Sequence, residues 1–145
     1  MLSIFLSYSS KDKDFIKIII NNIKLLPEHH NLWHYQQTDI NNISMKKIID
    51  KLREVDLFVL FISDNSLNSP FVQQELLEAI RLMEKGNIKE ICPIIIDNSI
   101  NPNLDNRIPQ FIKNNCIYKT ETPINAAQIM GISLHLLQLR YNHPH

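Results

Sequence analysis

Two stretches of this chain carry groups suited to chemistry. The first, Phe5-Leu-Ser-Tyr-Ser-Ser-Lys-Asp12, reads as a strand ending in hydroxyls that feed a helix N-terminus. Ser9, Ser10 and the free N–H groups of that helix can hold an anion, and the two serines can equally serve as caps. The second, Ser63-Asp-Asn-Ser-Leu-Asn-Ser69-Pro-Phe71-Val-Gln-Gln-Glu75-Leu76, leaves the most apolar strand of the chain and enters a helix. Phe71 and Glu75 are four apart on that helix, so they share a face about a turn from its start. The pattern places this face beside the core stripe of Val72, Leu76 and Ala79, which puts an acid and an aromatic together at the rim of a cleft. The plainer alternatives are a solvated Glu75 and a Phe71 that plugs the end of a core.

Other chemistries find little support. The two glycines, Gly86 and Gly131, do not follow strands, which excludes the glycine-rich phosphate loops of dinucleotide and P-loop folds. A receiver-type phosphorylation site would want acids where Ser7, Tyr8 and Ser63 stand. His29, His30 and His34 lack helical spacing and a nearby carboxylate or Cys, and Pro27 argues for a loop, so they read as solvated loop histidines and no metal site is expected. With 15 basic and 15 acidic residues the net charge is zero, giving no basic stripe for nucleic acid. Cys92 and Cys116 are far apart, both in apolar runs, and suggest a reducing compartment. The start has no basic leader and no run approaches a membrane span, so a cytoplasmic protein with no membrane contact is expected.

The elements that must position these residues alternate in character. A buried strand at 3–7 is followed by a helix on which Phe15, Ile18, Ile19, Asn22, Ile23 and Leu26 recur until Pro27. A weak strand near 31–35 leads through a polar loop to a helix at about 44–53, capped by Ser44. Residues 55–62 form the strongest strand, too apolar for a wet face. Ser69-Pro70 opens a helix with the stripe Val72, Leu76, Ala79, Ile80 and Met83. A strand at 91–96 contains Pro93 and should therefore be bulged or near an edge. A short strand near 115–118 precedes a last helix opened by Thr122-Pro123, with the stripe Ala127, Met130, Leu134, Leu137 and Tyr141. Alternating strands and helices at 145 residues predict a single α/β domain, core about 3–141 with a short tail at 142–145. The expected architecture is a flavodoxin-like three-layer fold around a five-stranded, mostly parallel sheet, with ligands beyond the strand C-termini.

At the two chemically suited stretches the chain resembles the Toll/interleukin receptor (TIR) domain family in its bacterial form. The N-terminal stretch resembles that family's opening box, F-I-S-Y-S/R followed by an acid. The stretch from Ser63 is similar to S-x-x-Y-x-x-S-x-W-C-x-x-E-L, matched by Ser63, Ser69, Glu75 and Leu76. Leu32-Trp33 resembles the second-strand V-W, with Trp33 expected to face the core, and Ile91-Cys-Pro-Ile-Ile-Ile96 resembles the later strand with its I-P-I/V. Four boxes in order cover nearly the whole chain. Departures are Ser66 for the usual aromatic, Phe71 for Trp, Val72 for Cys, Ser9-Ser10 for arginines, and Asn41-Asn42 where glycine is common.

The resemblance implies either an enzyme that cleaves the nicotinamide–ribose bond of NAD+, or an adaptor that binds other TIR domains. In the enzymes the key acid is the glutamate that maps onto Glu75, and the product is ADP-ribose or a cyclic ADP-ribose. NAD+ is then a substrate, and no cofactor is implied. Ser7, Tyr8, Ser9, Ser10 and Phe71 would form the substrate-binding set. The resemblance alone implies antiphage defence in a bacterial cytoplasm, while the Ile, Asn and Lys usage has the look of an AT-rich microbial genome. Self-association through TIR–TIR contacts and a separate sensor or effector partner follow from the same resemblance. The loop Gln36-Gln-Thr-Asp-Ile-Asn-Asn-Ile43, with Ile40 and Asn42, is the expected assembly loop, Ile40 docking on another copy or folding back on its own. A nucleoside deoxyribosyltransferase-like enzyme shares the layout but explains none of the box residues.

Overall fold

The six-residue segment Leu57–Ile62 has no polar position, and such a strand is stable only when both of its faces are covered. That requirement organises the molecule. The computed structural model describes residues 2–23, 30–34 and 45–141. Along the chain run β1 (Leu2–Ser7), a 3-10 turn (Ser10–Asp12), α1 (Lys13–Ile23), β2 (His30–His34), α2 (Met45–Leu52) and β3 (Leu57–Ile62). Then follow α3 (Asp64–Leu67), α4 (Pro70–Glu84), β4 (Glu90–Ile95), α5 (Gln110–Lys113), β5 (Tyr118–Lys119) and α6 (Pro123–Tyr141). The strands form one sheet in the order β2-β1-β3-β4-β5, with every neighbouring pair parallel. This is the flavodoxin-like order, with its topological switch between β1 and β3.

Strand alternation divides the side chains into two layers. Phe58, Leu60 and Ile62 of β3 pack with Phe5 of β1 and with Ile48, Leu52, Val72, Leu76 and Ala79 from α2 and α4. Leu57, Val59 and Phe61 pack on the other face with Leu2, Ile4, Leu6 and Tyr8 and with residues of α1 and α6. Phe5 and Phe58 lie stacked, ring centroids 5.7 Å apart, in the layer beneath α4. Trp33 packs at the margin of that layer as expected, with the Lys51 ammonium 3.3 Å from its ring centroid.

Pro93 sits in β4, one strand in from the edge, yet costs no ladder bond. Ile96 donates to the Ile62 carbonyl of β3 while the Ile95 carbonyl accepts from Thr120, so odd-numbered residues of β4 turn their backbone groups toward β5. The β4–β5 register begins only at Ile94. The missing N–H of Pro93 therefore falls on the side that has no strand beside it at that level. The expected proximity to an edge is met locally.

Several sequence expectations need correction. On α1, Ile16 is fully buried while Ile18 is 46% exposed, because the helix turns Ile16, Ile19 and Ile23 inward. β2 begins one residue earlier than expected and so includes His30 as well as His34, which places both in a strand and not in a loop. β5 lies three residues later than expected and is only two residues long. Cys116 is exposed, not part of an apolar core segment. Tyr141, the expected end of the α6 stripe, is also exposed, and Ala126 and Ser133 join the buried face instead. α3 and α5 had no sequence signal. Ile40 and Asn42, Ser44, His29 and the 142–145 tail lie outside the described residues.

Truncating Phe58 to alanine removes one half of the stacked pair and opens a cavity in a layer that cannot collapse onto itself. Phe58→Ala should cost about 3–5 kcal/mol of stability. A lowered urea midpoint at unchanged slope would register it.

Candidate active site

β1 alternates like any strand, so Ser7 follows Phe5 onto the face covered by α4. There its hydroxyl donates to Glu75 Oε1 at 2.9 Å. Ser7 is fully buried, and Glu75 is 5% exposed. The phase of α4 brings the acid to this point. Ser69 caps the helix by accepting from the Val72 N–H, and Pro70 occupies its first turn, as the sequence foretold. Val72, Glu75, Leu76, Ala79 and Leu82 then form one buried face. The expectation that Glu75 stands beside the core stripe at a cleft rim is thus corrected: it lies within the stripe, and it is not a solvated helix residue. Burial pushes its carboxyl from the usual 4.5 up to about 8, with the Ser7 hydrogen bond acting in the opposite direction. A carboxyl in this state is a poised acid–base group in a medium of low polarity, where its charge, once formed, acts strongly on whatever lies near.

The loops at the strand ends are bound together above this pair. Asp12, at the end of the 3-10 turn after β1, accepts from the Ser63 hydroxyl through Oδ2 and from the Asn65 side-chain amide at 2.9 Å through Oδ1. Ser63 caps α3 in a capping box: its hydroxyl accepts from the Ser66 N–H, and the Ser66 hydroxyl accepts from the Ser63 N–H. Ser66, which departs from the family box, is fully buried and closes this cap. The switch point between β1 and β3 is therefore crossed by one carboxylate that ties both loops together.

A second junction lies on the other side of α3. Arg107 donates to Asp64 and Asn68, each at 2.9 Å, and in bidentate fashion to Asp105. Asp97 accepts from the Asp64 N–H at 2.9 Å. These bonds hold the segment after β4 against α3. The Asp64 and Ser99 N–H groups lower the Asp97 pKa, and the Arg107 guanidinium lowers that of Asp105. Neither Arg107 nor Asp12 was singled out from sequence. The acid of the opening box was the only sign of Asp12, and Arg107 had none.

The remaining candidate residues divide. Tyr8 is buried in the layer beneath α1 and α6, on the face away from Glu75. Ser9 is buried and caps the 3-10 turn, its hydroxyl accepting from the Lys11 N–H. Ser10 is partly buried at the start of that turn, and Phe71 is partly exposed in the first turn of α4. The structure thus joins Ser7 to Glu75, leaves Ser9 and Ser10 at the turn after β1 and Phe71 in the first turn of α4, and sends Tyr8 to the other face of the sheet. Among the described residues no cluster of His, Cys, Asp and Glu could hold a metal ion. No described helix is long and apolar enough to cross a membrane.

A family model described as TIR domain matches residues 4–125, from β1 to the opening turn of α6. A comparison with curated proteins gives no match.

The raised pKa has a consequence for stability. Between the ordinary glutamate value of 4.5 and about 8, the unfolded chain has lost the proton that folded Glu75 retains. Stability therefore falls as pH rises through this window, by up to about 1.4 kcal/mol per pH unit from this group. Glu75→Gln, which keeps the shape without the charge, should flatten that decline. Urea unfolding of both proteins at pH 5, 6, 7 and 8 compares the slopes, and equal slopes would refute the assignment.

Proposed function

The chain belongs to the TIR domain family, and from that premise we propose that it is an NAD+ nucleosidase, cleaving the nicotinamide–ribose bond with Glu75 as its catalytic carboxylate. The observation that carries this reading is the burial of Glu75 at the switch point, with its pKa pushed up to about 8. A perturbed acid bonded to the last residue of a central parallel strand is a functional-site candidate.

The chemistry fits such a group. Breaking the glycosidic bond sends its electron pair to the pyridinium nitrogen, which leaves as neutral nicotinamide, while positive charge develops on the ribose. A carboxylate held in a low-dielectric setting stabilises that charge where it forms. Water adding to the anomeric carbon gives ADP-ribose and a proton, and attack by a nitrogen of the adenine gives a cyclic product. NAD+ itself brings a cation toward Glu75, and that cation favours the ionised carboxylate which burial disfavours in the free protein. Phe71 offers a partly exposed ring for stacking on a flat base. The hydroxyls of Ser9 and Ser10, at the turn after β1, would be the groups that hold the diphosphate. In this reading the activity belongs to an immune signal or effector in a bacterial cytoplasm, triggered by assembly or by a separate sensor protein.

One observation favours a second reading, a non-catalytic TIR–TIR interaction module: Glu75 already has a partner in Ser7 and little open surface. Release of nicotinamide by the concentrated protein separates the two. Under the enzymatic reading Glu75→Ala lowers kcat by at least about 10²-fold. Equal rates for wild type and Glu75→Ala would leave the interaction module standing. The pH profile adds a finer test. In kcat/KM, which reports the free enzyme, activity should rise with pH to a plateau above about 8. In kcat, which reports the bound state, the same limb should sit at lower pH.

A further inference from the structure

The sheet brings together two cysteines that lie far apart in the chain. β4 and β5 run parallel, with Ile94 beside Tyr118 and Ile95 beside Lys119. Carried two residues back, the same register sets Cys116 beside Cys92. The chain keeps its alternation over those two residues. Ile117 packs into the layer under α4, whereas Cys92 and Ile94 belong to the opposite layer, under α1 and α6. Cys116 and Tyr118, on either side of Ile117, therefore share the face that Cys92 occupies. Pairing stops short of Cys116 for a local reason. Pro93 has no N–H to give the Cys116 carbonyl, so the backbone at Cys116 is not fixed by the ladder.

The side chains register the same proximity. Burial pushes the Cys92 thiol from the usual 9.0 up to about 11; the Ser133 hydroxyl opposes this, and Glu90 and Cys116 add to it. Burial also raises the Tyr118 phenol, the Cys116 and Cys92 sulfurs add to the rise, and a hydrogen bond to Cys116 acts in the same direction. Cys92 is buried, its Sγ 3.6 Å from the Ser133 hydroxyl of α6, and Cys116 is exposed. One thiol thus meets solvent while the other lies behind it. Adjacent strands run about 4.7–4.9 Å apart, and a disulfide spans Cα atoms about 4.4–6.8 Å apart, so the spacing suits a bridge without displacing the sheet.

We propose that Cys92 and Cys116 form an oxidation site, which a hydroperoxide closes into an intrachain disulfide joining β4 to the segment that leads into β5. The exposed Cys116 sulfur attacks one oxygen of hydrogen peroxide. The O–O bond breaks, the sulfur becomes a sulfenic acid, and the other oxygen leaves with the thiol proton as water. The Cys92 sulfur then displaces the new hydroxyl group: the S–S bond forms, the S–O bond breaks, and the Cys92 proton leaves with the hydroxyl as a second water. Two thiols lose two electrons in all, and one peroxide is reduced to two waters. Cys92 acts second because a buried thiol is a poor first nucleophile. The bridge closes residues 93–115 into a loop that contains Arg107, which already fastens this segment to α3. Oxidation thus secures the same segment at its far end. The site does not involve Glu75 and stands whether or not the protein cleaves NAD+.

Hydrogen peroxide added to the full chain in native buffer, followed by alkylation in urea, tests this. The expected product is a monomer lighter by two hydrogens that takes up no alkylating agent, with the Cys92 and Cys116 peptides joined until a reductant is added. Its thermal midpoint should lie about 5–10 °C above that of the reduced protein, because the bridge restricts the unfolded chain. Cys92→Ser should stop at the Cys116 sulfenic acid, trapped by dimedone, and Cys116→Ser should leave Cys92 reduced at the same peroxide dose. A wild-type product whose Cys92 is still alkylated would overturn the proposal, whether Cys116 stays reduced, goes on to sulfinic acid or joins a second chain. So would a bridged protein that melts below the reduced one, because the fold would then oppose the bond.

Discussion

A carboxyl group buried against hydrocarbon must give up its charge, find a partner, or both, and the arrangement around Glu75 follows from that constraint. Its partner, Ser7, is within reach only because β1 alternates strictly, so that the residue two after Phe5 faces α4. The acid arrives only because α4 starts where it does. A shift of one residue in that start would rotate Glu75 by about 100° and send it toward solvent. Ser69 and Pro70 fix the start, one by capping and the other because its ring keeps the residue before it out of the helical conformation. A cap at the surface thus determines the protonation state of a group several residues inside.

The strand ends around this pair are held by polar bonds as well as by hydrocarbon packing, since Leu67, Ile100 and Ile108 beyond β3 and β4 are buried in the core layer under α4. Asp12 bridges the segments after β1 and β3, the Ser63–Ser66 cap stiffens the second of them, and Arg107 fastens the segment after β4 to the far side of α3. The Asp12 and Arg107 junctions join residues distant in sequence, at the C-terminal side of the sheet where a flavodoxin-like fold leaves its crevice. The core determines where the strands end, and this polar shell determines how the loops beyond them are spaced.

Much of this was legible in the sequence, for physical reasons. A strand without polar positions can only be internal, and alternation of such strands with helices leaves few topologies, so the layout was readable. Ser69-Pro70 marked a helix start by local chemistry alone. The shortfalls have equally plain causes. α3 and α5 are four residues each, too short for any period to show, and the two-residue β5 is defined by its neighbour and not by its composition. Glu75 was placed beside the stripe because a charged residue is ordinarily excluded from a buried face. Its compensation comes from Ser7, 68 residues away, and only the fold brings that hydroxyl near. Arg107 was missed likewise, since Asp64 and Asn68 are 43 and 39 residues distant from it. The Glu of the second box and the acid of the first were the signals that pointed inward, and both came from resemblance to a family pattern.

Pro93 has a further consequence at the border of the sheet. An open row of unpaired N–H and C=O groups invites strands from other molecules to add on, the route by which sheets grow into aggregates. β4 is apolar and would be a hazardous template along its outer margin if β5 frayed. By removing a donor from that margin, Pro93 interrupts the row one position before β5 begins, and the two residues of β5 with an exposed lysine offer a newcomer little to extend. Along this border the molecule resists fibrous growth by chemistry that its residues carry individually, even when the last strand opens.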